Sequence, residues 1–224
     1  MTAAKRARPK DYGPVQICTR LELSTWQVER AVEAGLLPPA GASGRWPAAV
    51  VDDALARREE IVAAAGALPD MGAYRAAGVL AERFGADVEA EVLLELERRG
   101  LVPRVGEYKG HSLYCGRALE AFADREALLA AAADGRLHTA DGAAEYLRVR
   151  RSDFDHLTRS GWLTEVTRVR SRRQRSRESP AVPLFRTGDL DVLLAHPAID
   201  WDAVRSTPRG RPSPLAQLGP WVRP

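Results

Sequence analysis

Cysteine is scarce in this 224-residue chain, and Cys18 and Cys115 lie far apart with no Cys-x-x-Cys spacing. That argues against a disulfide framework or a cysteine-built zinc cluster. Cys18 falls on an inward stripe, where packing is expected rather than redox sensing. Long apolar runs are also missing. Stretches such as Ile61–Leu68 fall well short of the roughly 20 residues that a membrane-spanning helix needs. The basic start, Met1–Lys10, is not followed by the apolar core of an export signal. A cytoplasmic, non-membrane chain is the simplest expectation. The four histidines, His111, His138, His156 and His196, are dispersed, with no neighbouring Cys or His at ligand spacing. Gly-x-Ser-x-Gly, P-loop and His-Glu-x-x-His motifs are absent. No catalytic residue, metal or cofactor is therefore expected, and the chain reads as a non-enzyme.

Lysine is the next scarcity. Of 33 basic residues only Lys5, Lys10 and Lys109 are lysines, so 33 minus 3 leaves 30 arginines. The planar guanidinium fork suits phosphates and guanine edges, although an Ala/Arg/Gly-heavy composition equally suits GC-rich codons. The net charge of +3 is a sum of unlike parts. Residues 1–66 carry 9 basic and 8 acidic side chains (+1), 67–135 carry 8 and 12 (−4), and 136–224 carry 16 and 10 (+6).

An internal repeat is present. Gly35-Leu36-Leu37-Pro38, Gly100-Leu101-Val102-Pro103 and Gly161-Trp162-Leu163-Thr164 each follow a helical pattern. A variable stretch comes next, then an aromatic residue (Trp46, Tyr114, Phe185) and, five positions on, an aliphatic one (Val51, Leu119, Leu190). Before each glycine the pattern is helix, turn, helix. In the third copy Thr139 is placed to cap a helix with Ala143, Ala144 and Leu147 inward, and Phe154 and Leu157 face inward from a second helix. The first copy matches at a constant offset, with Ile17, Cys18, Leu21, Leu23 and Val28 in the corresponding places. Ser24 followed by Gln27 has capping-box spacing. The middle copy keeps Ala76, Ala77, Leu80, Val88, Leu93 and Leu96 but carries about six extra residues in its turn. After each glycine a left-handed helix stop and then a short strand are expected. The variable stretches Pro39–Arg45, Arg104–Ser112 and Thr164–Pro183 fall between that strand and a returning strand or third helix, the position of a wing.

These readings predict a mainly α chain with small β wings, as three tandem winged helix-turn-helix units. The expected divisions are a basic tail over 1–13, unit one over 14–66 and a divergent acidic unit two over 67–135. Unit three covers 136–204 with an Arg-rich wing at 164–183, and a Pro/Arg-rich tail covers 205–224. The third unit resembles the excisionase-like and MerR-like winged-helix families in His138–Leu147, Val149–Leu163 and Leu184–Leu193. The first resembles MerR in Leu23–Val28 and Gly35-Leu36-Leu37. Several units in one chain resemble actinobacterial DNA-binding proteins. The resemblance implies DNA binding by the second helix and the wing. The long C-terminal dimerisation helix and effector domain of MerR are lacking, so a monomer or weak head-to-tail oligomer is expected.

The expected DNA contacts of copy three are Arg150, Arg151, Ser152, His156 and Arg159, with Asp155 orienting Arg151 or Arg159. Those of copy one are Thr25, Trp26, Gln27 and Arg30. Gln27 either pairs with adenine or is consumed by the cap, and Trp26 packs either on the sugar-phosphate backbone or on its own wing near Trp46. The second helix of the middle copy carries Asp87, Glu89, Glu91, Glu95 and Glu97, a face that phosphates repel. That unit is expected to space the others or bind a protein. In the third wing, Arg168, Arg170, Arg172, Arg173, Arg175 and Arg177 place six positive charges in ten residues, suited to phosphates or a narrow minor groove. Pro208-Arg209-Gly210-Arg211-Pro212 matches the core of an AT-hook. It is either a minor-groove contact through Arg209 and Arg211 or part of a packed tail in which Trp201, Val204, Leu215 and Trp221 dock on copy three. Duplex DNA is the expected partner, with the protein associated with the nucleoid as a transcription regulator or chromosome-organising factor. The alternatives are an accessory factor for recombination, plasmid maintenance or replication, and a protein-interaction adaptor.

Overall fold

The computed structural model of the protein describes residues 9–169 and 181–221. Its architecture is mainly helical with small antiparallel sheets. A strand, two helices, one or two strands and two further helices follow one another in each of three stretches. The first stretch runs β1 (Asp11–Tyr12), α1 (Pro14–Leu21), α2 (Thr25–Glu33), β2 (Trp46–Pro47), α3 (Ala48–Ala56) and α4 (Arg58–Ala65). The second runs β3 (Met71–Gly72), α5 (Ala73–Phe84), α6 (Val92–Arg98), β4 (Arg104–Tyr108), β5 (His111–Tyr114), α7 (Gly116–Ala121) and α8 (Arg125–Gly135). The third runs β6 (Leu137–Thr139), α9 (Ala140–Leu147), α10 (Arg151–Arg159), β7 (Thr167–Val169), β8 (Val182–Arg186), α11 (Thr187–Leu194) and α12 (Trp201–Ser206), with a final 3-10 turn at Pro214–Gln217. The strand before each first helix and the helix that closes each stretch were not anticipated.

The compact units do not follow the repeats. One is drawn from Met1–Ala76 and Leu101–Ala123, the other from Ala77–Gly100 and Asp124–Pro224.

In the first unit β1 pairs with β2, aligning Tyr12 with Trp46. Ile17, Leu21, Val28, Leu37, Trp46, Val51 and Ile61 form one core, with Cys18 half-buried at its edge. The expected strand after Gly35 does not form. The amides of Leu36 and Leu37 both donate back to Ala31 O, at 2.9 and 3.0 Å, so the backbone is spent on closing α2 and Leu37 becomes a buried plug. Residues 38–45 form a tight loop, with Gly41 N bonded to Arg45 O at 3.0 Å and Trp46 Nε1 to Pro38 O at 2.8 Å. The same unit holds a second sheet in the order β3-β5-β4. Its β4–β5 hairpin turns at Lys109 and Gly110, both with positive φ.

In the second unit β8 lies between β6 and β7. Ala143, Leu147, Phe154, Leu157, Phe185 and Leu190 form its core together with Trp201, Val204 and Leu215 from the C-terminal segment. The Phe154 and Phe185 rings meet edge-on, 4.9 Å apart. Trp162 and Leu163 repeat the first-unit closure, both amides donating to Leu157 O, so no strand forms directly after Gly161, but here one begins later, at Thr167. Helix α8 packs on α6 and α11.

Candidate nucleic-acid interface

Helices α9 and α10 are joined by Arg148–Arg150, as α1 and α2 are by Glu22–Ser24. The joints match in detail. Arg148 and Glu22 are both left-handed, with φ of 56° and 54°, and in each following helix the third side chain accepts the N-cap amide, Asp153 from Arg150 N at 3.2 Å and Gln27 from Ser24 N at 2.9 Å. Thr139 caps α9 by accepting Gly142 N. In the middle stretch the connection is longer, spanning 85–91.

The structure places the expected contacts of copy three in different roles. Arg150 is a strut: Nε and Nη2 donate to Asp153 at 2.8 and 2.9 Å, and Nη1 donates to Pro208 O at 3.2 Å. The Asp153 side chain is 1% exposed. Burial pushes its carboxyl pKa up, but hydrogen bonds from Arg150 and Ser213 outweigh this and hold it below the ordinary aspartate value. Arg151, Ser152 and Arg159 are exposed. Arg151 pairs with Asp141 at 3.0 Å and with Asp155. Arg159 donates to Asp155 O at 3.0 Å and faces Nδ1 of the half-buried His156 at 3.4 Å. Arg168, on the exposed strand β7, pairs with Glu165 at 2.6 Å. An open groove runs between α10 and the β7–β8 pair, lined by Arg151, Phe154, Thr158, Arg168 and Phe185. Arg170, Arg172, Arg173, Arg175 and Arg177 lie outside the described residues.

Copy one is less cationic on its helix than its sequence suggests. Arg30, whose side chain is 13% exposed, turns inward and donates to Ala65 O, Leu68 O and Asp70 at 2.7, 3.0 and 2.6 Å. It also stacks over Trp26, 4.8 Å from the ring centre. Gln27 serves the cap, accepting from Ser24 N and Oγ, and donates to Gly66 O. The exposed positions of α2 are Thr25, Glu29 and Glu33.

Of the five acids expected on the second helix of the middle copy, Asp87, Glu89 and Glu91 lie in the connection before α6, and only Glu95 and Glu97 are on it. Glu95 does not belong to an exposed acidic face, because its side chain is 1% exposed. It accepts Arg98 at 2.9 and 3.0 Å, Arg99 at 2.8 Å and Arg186 at 2.9 Å. Arg99 extends to Asp134 on α8, and Arg186 to Asp189 on α11, each at 2.5 Å. Burial raises the Glu95 pKa, yet hydrogen bonds from Arg98 and Arg99 and the charge of Arg186 bring it down to about 2.

Arg209 and Arg211 lie in an exposed turn closed by Arg211 N bonding to Pro208 O at 3.2 Å. Trp201, Val204 and Leu215 dock into the core of the third repeat, and Trp221 stacks edge-on to Trp162 at 4.7 Å. Sequence reasoning missed the Arg150–Asp153 strut, although its three-residue spacing matches Ser24–Gln27. Arg98 and Arg99 stand at i+3 and i+4 from Glu95, but nothing local signalled its pairing with Arg186. Among the described residues no cluster of three or more His, Cys, Asp or Glu side chains is placed to hold a metal. No helix among them is long and apolar enough to cross a membrane. Comparison with known families, curated proteins and solved structures finds no match.

Proposed function

We propose that the protein binds duplex DNA, as a transcription regulator or chromosome-organising factor associated with the nucleoid, through three tandem winged helix-turn-helix units of the MerR-like and excisionase-like kind. The third unit makes the main contact. The observation that carries this reading is α10, whose exposed Arg151, Ser152 and Arg159 stand beside the β7–β8 pair. The segment joining those strands contains five further arginines in sequence. A helix of this kind enters the major groove while an adjacent basic loop follows the phosphates. The ion pairs of Arg151 do not oppose this, since they hold its fork in place and are exchanged for phosphate on binding. The first unit is the weaker reader, because α2 exposes Glu29 and Glu33 and its one arginine is turned inward. That acidic face favours a protein contact for the first unit as well as the middle one. The chain acts by binding rather than catalysis.

The test is fluorescence anisotropy of the full chain with mixed duplexes over a salt series. Arg151→Ala with Arg168→Ala leaves the Arg150–Asp153 strut intact. It is expected to weaken binding and flatten the slope of log Kobs against log salt by about 2, from about 0.9 per phosphate. Binding without salt dependence, or a slope untouched by this pair, refutes the role given to the third unit.

A further inference from the structure

The Arg209–Arg211 segment is short of what a minor-groove hook requires. A hook needs an extended Arg-Gly-Arg, whereas Pro208–Arg211 closes a hydrogen-bonded turn with Gly210 at φ 84°. The turn is also fixed to the body of the third repeat. Arg150 Nη1 holds Pro208 O at 3.2 Å, Leu215 is buried in the core, and Ser213 hydrogen-bonds the buried Asp153. Trp162 Nε1 donates to Gly219 O at 2.8 Å, and Trp221 N to Ser160 O at 3.1 Å. A solvated tail makes none of these contacts.

The anchoring gathers positive charge at one place. Arg205 of α12 donates to Leu147 O at 3.1 and 3.3 Å, which sets it beside the exposed Arg148 in the α9–α10 joint. Pro208, bonded to Arg150 in the same joint, brings Arg209 and Arg211 to it. Residues 203–221 contain three arginines and no acidic residue. Of the acids just upstream, Asp200 caps α12 through Ala203 N and Asp202 sits on the first turn of that helix. Among the described residues neither Arg209 nor Arg211 makes a side-chain hydrogen bond or ion pair.

We propose that the C-terminal segment and the helix-turn-helix joint form a single phosphate-binding cradle, in which Arg148, Arg205, Arg209 and Arg211 hold the backbone of duplex DNA beside α10. This deepens the DNA-binding reading of the third unit and rests on it. The contact is to phosphates, so it adds affinity without base preference.

The test compares the full chain with Arg209→Ala/Arg211→Ala, on A·T-rich and G·C-rich duplexes of equal length, by anisotropy over a salt series. Both side chains are exposed, and unchanged circular dichroism checks that the fold is kept. The cradle predicts that the log–log salt slope falls by about 2, with an equal fold loss on both duplexes. A loss confined to A·T-rich DNA overturns the cradle in favour of a hook, and an unchanged slope overturns it outright. If the unaltered protein shows no salt-dependent binding at all, the DNA-binding reading fails and the cradle fails with it.

Discussion

Replacing Glu95 by glutamine removes the buried negative charge that three guanidinium groups share while keeping the side-chain shape. Its pKa of about 2 against an ordinary 4.5 sets the size of the effect. At about 1.4 kcal/mol per pH unit, the ionised form contributes about 3 kcal/mol of stability at neutral pH. The sign follows from a folded-state pKa below the unfolded one. The contribution is complete above about pH 5 and is lost as the pH falls towards 2. Glu95→Gln is therefore expected to lose about 3 kcal/mol at pH 7, and to show a flatter stability profile than the unaltered protein between pH 5 and 2. The loss includes the cost of leaving Arg186, 10% exposed, without its buried carboxylate. Urea unfolding at a series of pH values measures the profile. Hydrogen exchange over 92–98, 125–135 and 187–194 locates the weakening in α6, α8 and α11. A loss under about 1 kcal/mol at pH 7, with an unaltered slope below pH 5, refutes the assignment of Glu95 as the ionised hub of these helices.

Four further substitutions have outcomes set by the contacts around them. Arg30→Ala removes three inward hydrogen bonds and is expected to cost about 2 kcal/mol in urea unfolding, while leaving the salt slope of DNA binding unchanged. Arg150→Ala leaves Asp153 buried with Ser213 and the amide of residue 150 as its remaining partners, so about 2–3 kcal/mol is lost, read as a lower thermal midpoint and faster exchange at the α10 amides. Gly116→Ala drives a Cβ to 2.2 Å from Leu68 O and 2.4 Å from Pro69 O and is expected to destabilise by about 1–3 kcal/mol. Gly78→Ala, on an exposed position of α5 with open space around it, is expected to stabilise by about 0.5–1 kcal/mol, measured side by side in one urea series.

The repeat, the helix pairs and their caps were legible because they are local. Apolar spacing at Ile17 and Leu21 of α1, or at Ala143 and Leu147 of α9, places one helix face inward wherever the helix packs. Gly35, Gly100 and Gly161 all adopt positive φ, between 71° and 76°, as helix stops of this kind require. What a linear reading missed came from backbone groups with two possible uses. The amides after Gly35 and Gly161 suit a strand as well as a helix closure, and the closure won because Leu37 and Leu163 then enter the core.

By itself the sequence determined the mainly helical class, the apolar faces, the caps and the uneven spread of charge, since each depends on composition or on residues within one or two helical turns. Only the tertiary structure decided what the polar residues do. Arg30 and Glu95 read as surface charges on amphipathic helices, yet Arg30 bonds Asp70, 40 positions away, and Glu95 is buried against Arg186, 91 positions away, besides its neighbours Arg98 and Arg99. Arg209 and Arg211 allow either a minor-groove hook or a packed tail, and Leu215, Ser213 and Trp221 anchor their turn beside Arg150. A charged side chain takes its role from the groups that meet it in space, and long-range pairing carries no periodic signature along the chain.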